Sequence, residues 1–336
     1  MILNSEAPLR YETLIRREYL GDEEASFSVS KLPGHGINSE NYKITFEDSG
    51  KKHVPIHLKV LYKWEVNSAD KLKIFDGCFE AGVKTAEIIK TKGGSYFVKE
   101  PDFIEICFRY YEAQEYTGSK EERTAAAREL GKLNNALSRY KKEFRRSKLY
   151  DFLTEDEFDT IKQACTDMDE FEKTVSENIE QLRELTKRLS PKFDTVNYSY
   201  RLEHFDYYPK NIIFKDGDVV AILDFDSIKS VPKHLSVAFA CDRFSEKATG
   251  PGKISQMIEF IQAYKDTNND LSTEEILKIP TLIKWEALRR INYILRSHFF
   301  GQDSSWNKEI GHQMDIIKRT NELEENFLSL VETERL

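Results

Sequence analysis

His204-Phe205-Asp206-Tyr207-Tyr208-Pro209-Lys210-Asn211, followed a short hairpin later by Asp224-Phe225-Asp226, combines a carboxylate able to accept a proton with two oxygen ligands for a divalent cation. That is the minimum equipment for moving a phosphoryl group from ATP to a hydroxyl. Between the two motifs, 211–214 and 219–223 are apolar, β-branched runs, and the polar Lys215-Asp216-Gly217-Asp218 joins them with the Asp-Gly pair of a two-residue hairpin turn. The two strands should pair antiparallel. A turn centred on Asp216 and Gly217 sets Asn211 opposite Ile222, and side-chain alternation then puts Asp224 on the same face, diagonal to Asn211. Mg²⁺ suits such a pair, because it takes hard oxygen ligands and completes its shell with water and substrate phosphates.

His204, Asp206, Asn211 and Asp224 resemble the HxDxxxxN and DxD elements of the aminoglycoside phosphotransferase and choline kinase superfamily, relatives of protein kinases. Ala81-Gly82-Val83 ahead of Glu87-Ile88-Ile89, and Leu130-Gly131-Lys132-Leu133-Asn134, are similar to weaker stretches of the same family. The resemblance implies an α+β, protein-kinase-like fold of two lobes: a small sheet-rich N-lobe over 1–112, and a larger helical C-lobe over 113–336 that carries the catalytic hairpin. It implies ATP and Mg²⁺ as cofactors and a small-molecule hydroxyl as the acceptor. Asp206 would be the catalytic base, Asn211 and Asp224 the metal ligands, and Asp226 a ligand or a brace behind them. His204 would steady the loop. Taken singly, each of these residues also fits a capped turn or a solvated strand end. The chain departs from the family pattern at Phe205, where a small residue is usual, and at Tyr207-Tyr208-Pro209-Lys210, which replaces a more compact segment.

The N-terminal part reads as the nucleotide-binding half. In 32–44 a strand, loop and strand carry Gly34 and Gly36, which allow backbone amides to approach phosphates, although an ordinary hairpin loop gives the same pattern. In the alternating strand 54–62, Lys59 resembles the strand lysine that pairs with the α- and β-phosphates. A kinase lysine of this kind needs a carboxylate on the next helix, and the family alignment puts Lys71 of helix 68–76 where a glutamate is expected. Asp70 and Glu80 are the alternatives. The apolar run 104–112 resembles the last N-lobe strand entering the hinge, which would set Arg109, Tyr110 and Tyr111 against the adenine edge.

The 336 residues exceed the usual single-core range. At 40% hydrophobic and 32% charged, the chain reads as globular. No apolar run approaches a membrane span and the polar start lacks a signal-peptide core, so a cytoplasmic location with no membrane partner is expected. Cys78, Cys107, Cys165 and Cys241 have no metal or dithiol spacing and read as reduced packing residues, which makes the sequon Asn197-Tyr198-Ser199 incidental. Fifty basic against 58 acidic residues, a formal charge of -8, argues against nucleic acid as a partner.

Helical periodicity runs over 124–140, 155–189, 254–264, 281–300 and 308–331. Lys141 to Lys148 is expected as a solvated charge run, and Trp285 and Tyr293 as helix packing beside the basic Arg289, Arg290 and Arg296. Gly250-Pro251-Gly252-Lys253 lacks both the first glycine and the following Ser/Thr of a phosphate-binding P-loop and is expected to be an interhelical loop. Three functions remain in view: a small-metabolite kinase (amino alcohol, sugar or similar), an aminoglycoside O-phosphotransferase, and a nucleotide-binding pseudokinase or scaffold.

Overall fold

A computed structural model describes residues 7–20, 25–33, 39–48, 51–62, 67–141, 144, 152–166, 169–193, 199–248, 250–301 and 303–333. The chain divides into two units. The first is Met1–Tyr116 with Asn211–Asp226, and the second is Thr117–Lys210 with Ser227–Leu336.

The first unit is built on an antiparallel sheet of β1 (Ala25–Lys31), β2 (Ser39–Asp48), β4 (Ile56–Leu61), β7 (Ile104–Arg109) and β5 (Ile88–Ile89), in that order. The two-residue β3 (Lys51–Lys52) lies beside β2 and β6 (Val98–Lys99) beside β7. In β4, Ile56, Leu58 and Val60 are buried with Tyr42, Ile44 and Phe46 of β2 and with Tyr11, Leu14 and Ile15 of α1 (Ala7–Ile15). Period-two alternation therefore turns Lys59 to the other face. Helix α2 (Ser68–Glu80) ends at Gly82, whose φ of 85° is the left-handed C′ conformation that glycine adopts without a Cβ clash, and Gly82 N donates to Phe79 O at 2.9 Å.

The hairpin of β9 (Ile212–Lys215) and β10 (Asp218–Ile222) groups with this first unit, whereas the sequence placed it with the C-terminal helices. The reason is local hydrogen bonding. Ile222 N donates to Lys84 O at 2.6 Å, Ala86 N to Ile222 O at 2.8 Å, and Gln114 N to Phe214 O at 3.2 Å. The turn is the expected one, with Asp216 and Gly217 at φ 53° and 81°, the paired positive values of a type I′ turn. The register is not. A bulge between Val219 and Ala221 inserts one residue, so Ile212 faces Ile222, and Leu223, not Ile222, donates to Asn211 O at 2.8 Å.

In the second unit, β8 (Tyr200–His204) pairs antiparallel with β11 (Ile228–Pro232), Ile228 opposite His204. The helices are α3 (Lys120–Leu137), α4 (Glu155–Ala164), α5 (Glu170–Leu189), α6 (Leu235–Phe244), α7 (Gly250–Lys265), α8 (Thr273–Leu277), α9 (Ile279–Gly301) and α10 (Ile310–Thr333). The single helix expected over 155–189 is two, because the Asp169 side chain accepts from Glu172 N at 2.8 Å and starts α5 afresh. The expected loop 250–253 is instead the first turn of α7. Pro251 is tolerated there because first-turn N–H groups have no intrahelical acceptor, and Lys253 forms a buried ion pair with Asp242 of α6. Gly131 lets α3 and α7 approach closely: a Cβ at that position would lie 2.9 Å from Tyr264 O. All four cysteines are free, and three are buried. No helix among the described residues is long and apolar enough to cross a membrane. Most of the 141–148 charge run, and Asn197 and Tyr198 of the sequon, lie outside the described residues.

Candidate active site

Asp224, at φ 65°, sits at the end of the hairpin in a left-handed conformation that costs most residues energy but that aspartate tolerates. After it the chain makes a 3₁₀ turn, Phe225–Ser227. Phe225 is fully buried, its ring 6.4 Å from Phe75 of α2 and 6.2 Å from Phe108 of β7. Burying a phenyl ring is worth about 1.5–3 kcal/mol. It serves as an anchor that fixes the aspartate on each side. Both carboxylates converge on Lys59: Nζ lies 3.0 Å from Asp224 Oδ1 and 2.9 Å from Asp226 Oδ2, with the ammonium 5.3 Å from the Phe225 ring centre.

Burial alone would lower Lys59, but Asp224 and Asp226 outweigh it and hold the ammonium protonated above the ordinary lysine value. Asp226 moves upward, chiefly through burial; Lys59 opposes that rise, and neighbouring Asp224 adds to it. Lys71 of α2, only 3% exposed, donates to Asp226 O at 2.8 Å. Among the described residues Lys59 forms ion pairs with Asp224 and Asp226, so neither Asp70 nor Glu80 fills the place of the expected glutamate. A second lysine stands there and grips the backbone of the same motif.

Asn211, the amide of the expected metal set, ends the 3₁₀ turn Pro209–Asn211 just before β9, and its carbonyl accepts from Leu223 N, one residue before Asp224. Of the hinge residues, Arg109 N donates to Glu87 O and Tyr110 N to Pro55 O, both at 2.9 Å, so these two N–H groups are engaged in the sheet. The Tyr111 hydroxyl accepts from Glu87 N at 3.3 Å. Gly34 and Gly36 lie outside the described residues.

In the second unit, the strand leading to Asp206 is held from several sides. His204 is fully buried, with its ring edge-on to Tyr207 at 6.1 Å, and Phe205 N donates to Ser227 O at 2.8 Å. Tyr207, one of the departures from the family pattern, is fully buried and donates to Ala126 O of α3 at 2.8 Å. Sequence reasoning missed Glu203. Its buried carboxylate accepts from His234 N at 2.8 Å, Ser236 N at 2.7 Å and Arg201 Nε at 2.6 Å, which fastens β8 to the N-terminus of α6. A carboxylate next to His204 was the available signal, but its partners at the start of α6 lie 31 and 33 residues further along the chain.

Phe205 stands between two cations, Lys229 Nζ and Arg289 Cζ, each 5.4 Å from its ring centre. Arg289 and Arg290 share the buried Glu286 carboxylate. Arg289 binds it through Nε and Nη2, both at 2.7 Å, and Arg290 through Nε at 3.1 Å. Burial works against the charge on Arg290, and Glu286 and Asp206 restore it, so its net shift is upward. Arg289, Tyr293 and Arg296 also line a cavity of about 1060 Å³ together with Glu157, Lys187 and Phe300.

Residues 89–271, more than half of the chain, match the model of the phosphotransferase enzyme family, APH. Similar solved structures include an amicoumacin kinase in complex with AMP-PNP, Ca²⁺ and Ami, at 13% identity and TM-score 0.60, covering 96% of each chain. A spectinomycin phosphotransferase in complex with ADP and spectinomycin matches at 15% and 0.57, covering 92% of this chain and 93% of the other. Choline kinase from Cryptosporidium parvum Iowa II matches at 11% and 0.58, covering 95% and 96%. At these identities the likeness establishes the protein-kinase-like fold. Comparison with curated protein sequences gives no match. With the motif residues, the fold and the family model in agreement, the chain belongs to the phosphotransferase enzyme family.

Proposed function

We propose that this protein transfers the γ-phosphoryl group of ATP to a hydroxyl of a small molecule. The observation that carries the reading is the junction of Lys59 with Asp224 and Asp226, side chains more than 160 positions apart in sequence held at 3.0 and 2.9 Å within one unit. A lysine beside two carboxylates is the arrangement needed to receive polyphosphate on one side and a cation on the other. Asn211, Asp224 and Asp226 offer an amide and two carboxylates, a hard-oxygen donor set that fits Mg²⁺. When bound, such an ion neutralises phosphate charge.

The chain's own residues do the rest. Lys59 swings from the carboxylates to the α- and β-phosphates, and Gly34 and Gly36 cover them. The hinge Arg109–Tyr110–Tyr111 lies along the adenine. Asp206 orients the acceptor hydroxyl and takes its proton as the acceptor oxygen bonds to phosphorus and the bond to ADP breaks; His204 keeps the loop in place. The nucleotides in the solved amicoumacin kinase and spectinomycin phosphotransferase support ATP as donor. Free cysteines suit a reducing, cytoplasmic compartment.

The second reading is a nucleotide-binding protein of little activity, favoured by Lys71 in the place of a glutamate. Aminoglycoside phosphorylation draws only on the names of similar structures. Purified protein incubated with ATP, Mg²⁺ and a panel of amino alcohols, sugars, hydroxy acids and aminoglycosides separates the three. A phosphorylated product that disappears with Asp206→Ala supports the kinase; nucleotide binding without product from any acceptor supports the second reading.

A further inference from the structure

Glu286 is 5% exposed in its side chain and holds two guanidiniums at once, so Arg289 and Arg290 are fixed in orientation and not free to sweep through solvent. Each guanidinium has five N–H donors. Glu286 takes two nitrogens of Arg289 and one of Arg290; Glu309 stands 3.9 Å from Arg290 Nη1, beyond hydrogen-bond distance. Among the described residues, Arg289 Nη1 and both Arg290 terminal nitrogens are left without a hydrogen-bonded acceptor. A planar array of fixed, open N–H donors is what a carboxylate or a phosphate binds in bidentate fashion.

The array adjoins the proposed base. Arg289 covers Phe205, the neighbour of Asp206, and Asp206 is one of the charges that keep Arg290 protonated. Counting Lys229 on Phe205, three cations face Asp206 and Glu286, with Glu309 at the edge. Arg296 and Glu157 in the adjoining cavity neutralise each other at 2.9 Å. A cationic amino alcohol would meet two fixed guanidiniums here, and the aromatic face that could attract a quaternary ammonium already carries Lys229 and Arg289.

Resting on the kinase reading above, we propose that the acceptor bears an oxyanion, a carboxylate or a phosphate, as well as its hydroxyl, and that Arg289 and Arg290 bind that oxyanion. The anion supplies the acceptors their open donors lack and points the hydroxyl at Asp206. A neutral or cationic acceptor leaves those donors to water.

The test is turnover and calorimetric binding with the full chain, ATP and Mg²⁺. One arm uses hydroxy acids (glycerate, gluconate), another sugar phosphates (glucose 6-phosphate, ribose 5-phosphate), and a third choline, ethanolamine and kanamycin. The expected result is preference for one anionic arm, which also tells carboxylate from phosphate. Arg289→Gln should raise the KM for that acceptor about 10- to 100-fold, as loss of a charge-assisted hydrogen bond would, while the KM for ATP stays within about twofold. Arg289→Lys, which keeps the charge but not the fork, should fall between and guards against misfolding of the first variant. Preference for the cationic arm overturns the proposal, as does an effect of Arg289→Gln on ATP alone. If no acceptor turns over, the kinase reading fails separately, and calorimetry still decides: anion binding at millimolar concentration that Arg289→Gln abolishes supports the site, and its absence in the wild type overturns it.

Discussion

Lys59 is the residue on which the two charges of the Asp-Phe-Asp motif depend. Without it, Asp224 and Asp226 face one another beside Phe225, with the Lys71 ammonium bonded to a backbone carbonyl. Lys59→Met should therefore do two separable things. The protein should lose about 1–3 kcal/mol of stability in urea titration, because partly buried carboxylates lose their hydrogen-bonded partner. Affinity for ADP should fall at least about tenfold in calorimetry, since a phosphate contact to a charged donor is gone. Part of this was legible in the sequence. Alternation in β4 marked Lys59 as facing away from Ile56, Leu58 and Val60, and the Asp-Gly turn signalled the hairpin through a local rule. The pairing of Lys59 with both aspartates was not legible, because no short-range pattern links positions more than 160 apart.

At the level of elements, α2 offers a lysine where the family pattern suggested an acid, and the exchange gives the helix a different grip on the motif. Lys71 holds the Asp226 carbonyl, which ties α2 to the motif independently of the Lys59 ion pairs. Lys71→Glu should be worse than Lys71→Met. The glutamate would set a carboxylate against a carbonyl oxygen and near two aspartates, an uncompensated buried charge costing about 3 kcal/mol or more, whereas the methionine loses the hydrogen bond without adding a like charge. Thermal denaturation with and without Mg²⁺ and ADP measures both; equal stability of the two variants would mean that Lys71 has no such contact. A second element-level prediction concerns α3 and α7. Gly131→Ala drives a methyl toward the Tyr264 carbonyl, backbone that cannot rotate aside, and should destabilise the protein by about 1–3 kcal/mol in chemical denaturation. Helix α6 escaped the sequence reading for a physical reason. Nine of its ten residues are buried, so it has no polar face to produce a 3.6-residue pattern. The bulge in β10 escaped too, since Val219-Val220-Ala221 gives no sign of which residue drops out of the ladder.

At the scale of the whole molecule, the candidate chemistry is divided between the units: Lys59, Asn211, Asp224 and Asp226 belong to the first, and His204, Asp206, Arg289 and Arg290 to the second. The chain passes from one to the other between Lys210 and Asn211, inside the motif read first from the sequence. Stability of the first unit should carry two opposed pH dependences. His57, in β4, is lowered from 6.5 to about 4, by burial first and by Lys59 next. The unfolded chain then binds more protons than the folded one between those values, so this group's contribution is complete above pH 6.5 and drains away as pH falls toward 4. Glu105, 1% exposed in β7, is raised from 4.5 to about 7 by burial, against the pull of Arg10. Here the folded state binds more protons, so the contribution is present below pH 4.5 and is lost as pH rises through 7, with a full amplitude on the order of 3 kcal/mol. His57 is only partly buried, and its amplitude should be smaller, about 1–2 kcal/mol. Wild-type stability in urea titration should thus fall only gently, by about 1–2 kcal/mol, between pH 4.5 and 7. His57→Gln should leave a stability that declines steadily as pH rises over that window, and Glu105→Gln one that climbs. If both variants instead track the wild-type curve at every pH, neither group is shifted as its surroundings require, and the packing of β4 against β7 would have to admit more water than the burial of Glu105 allows.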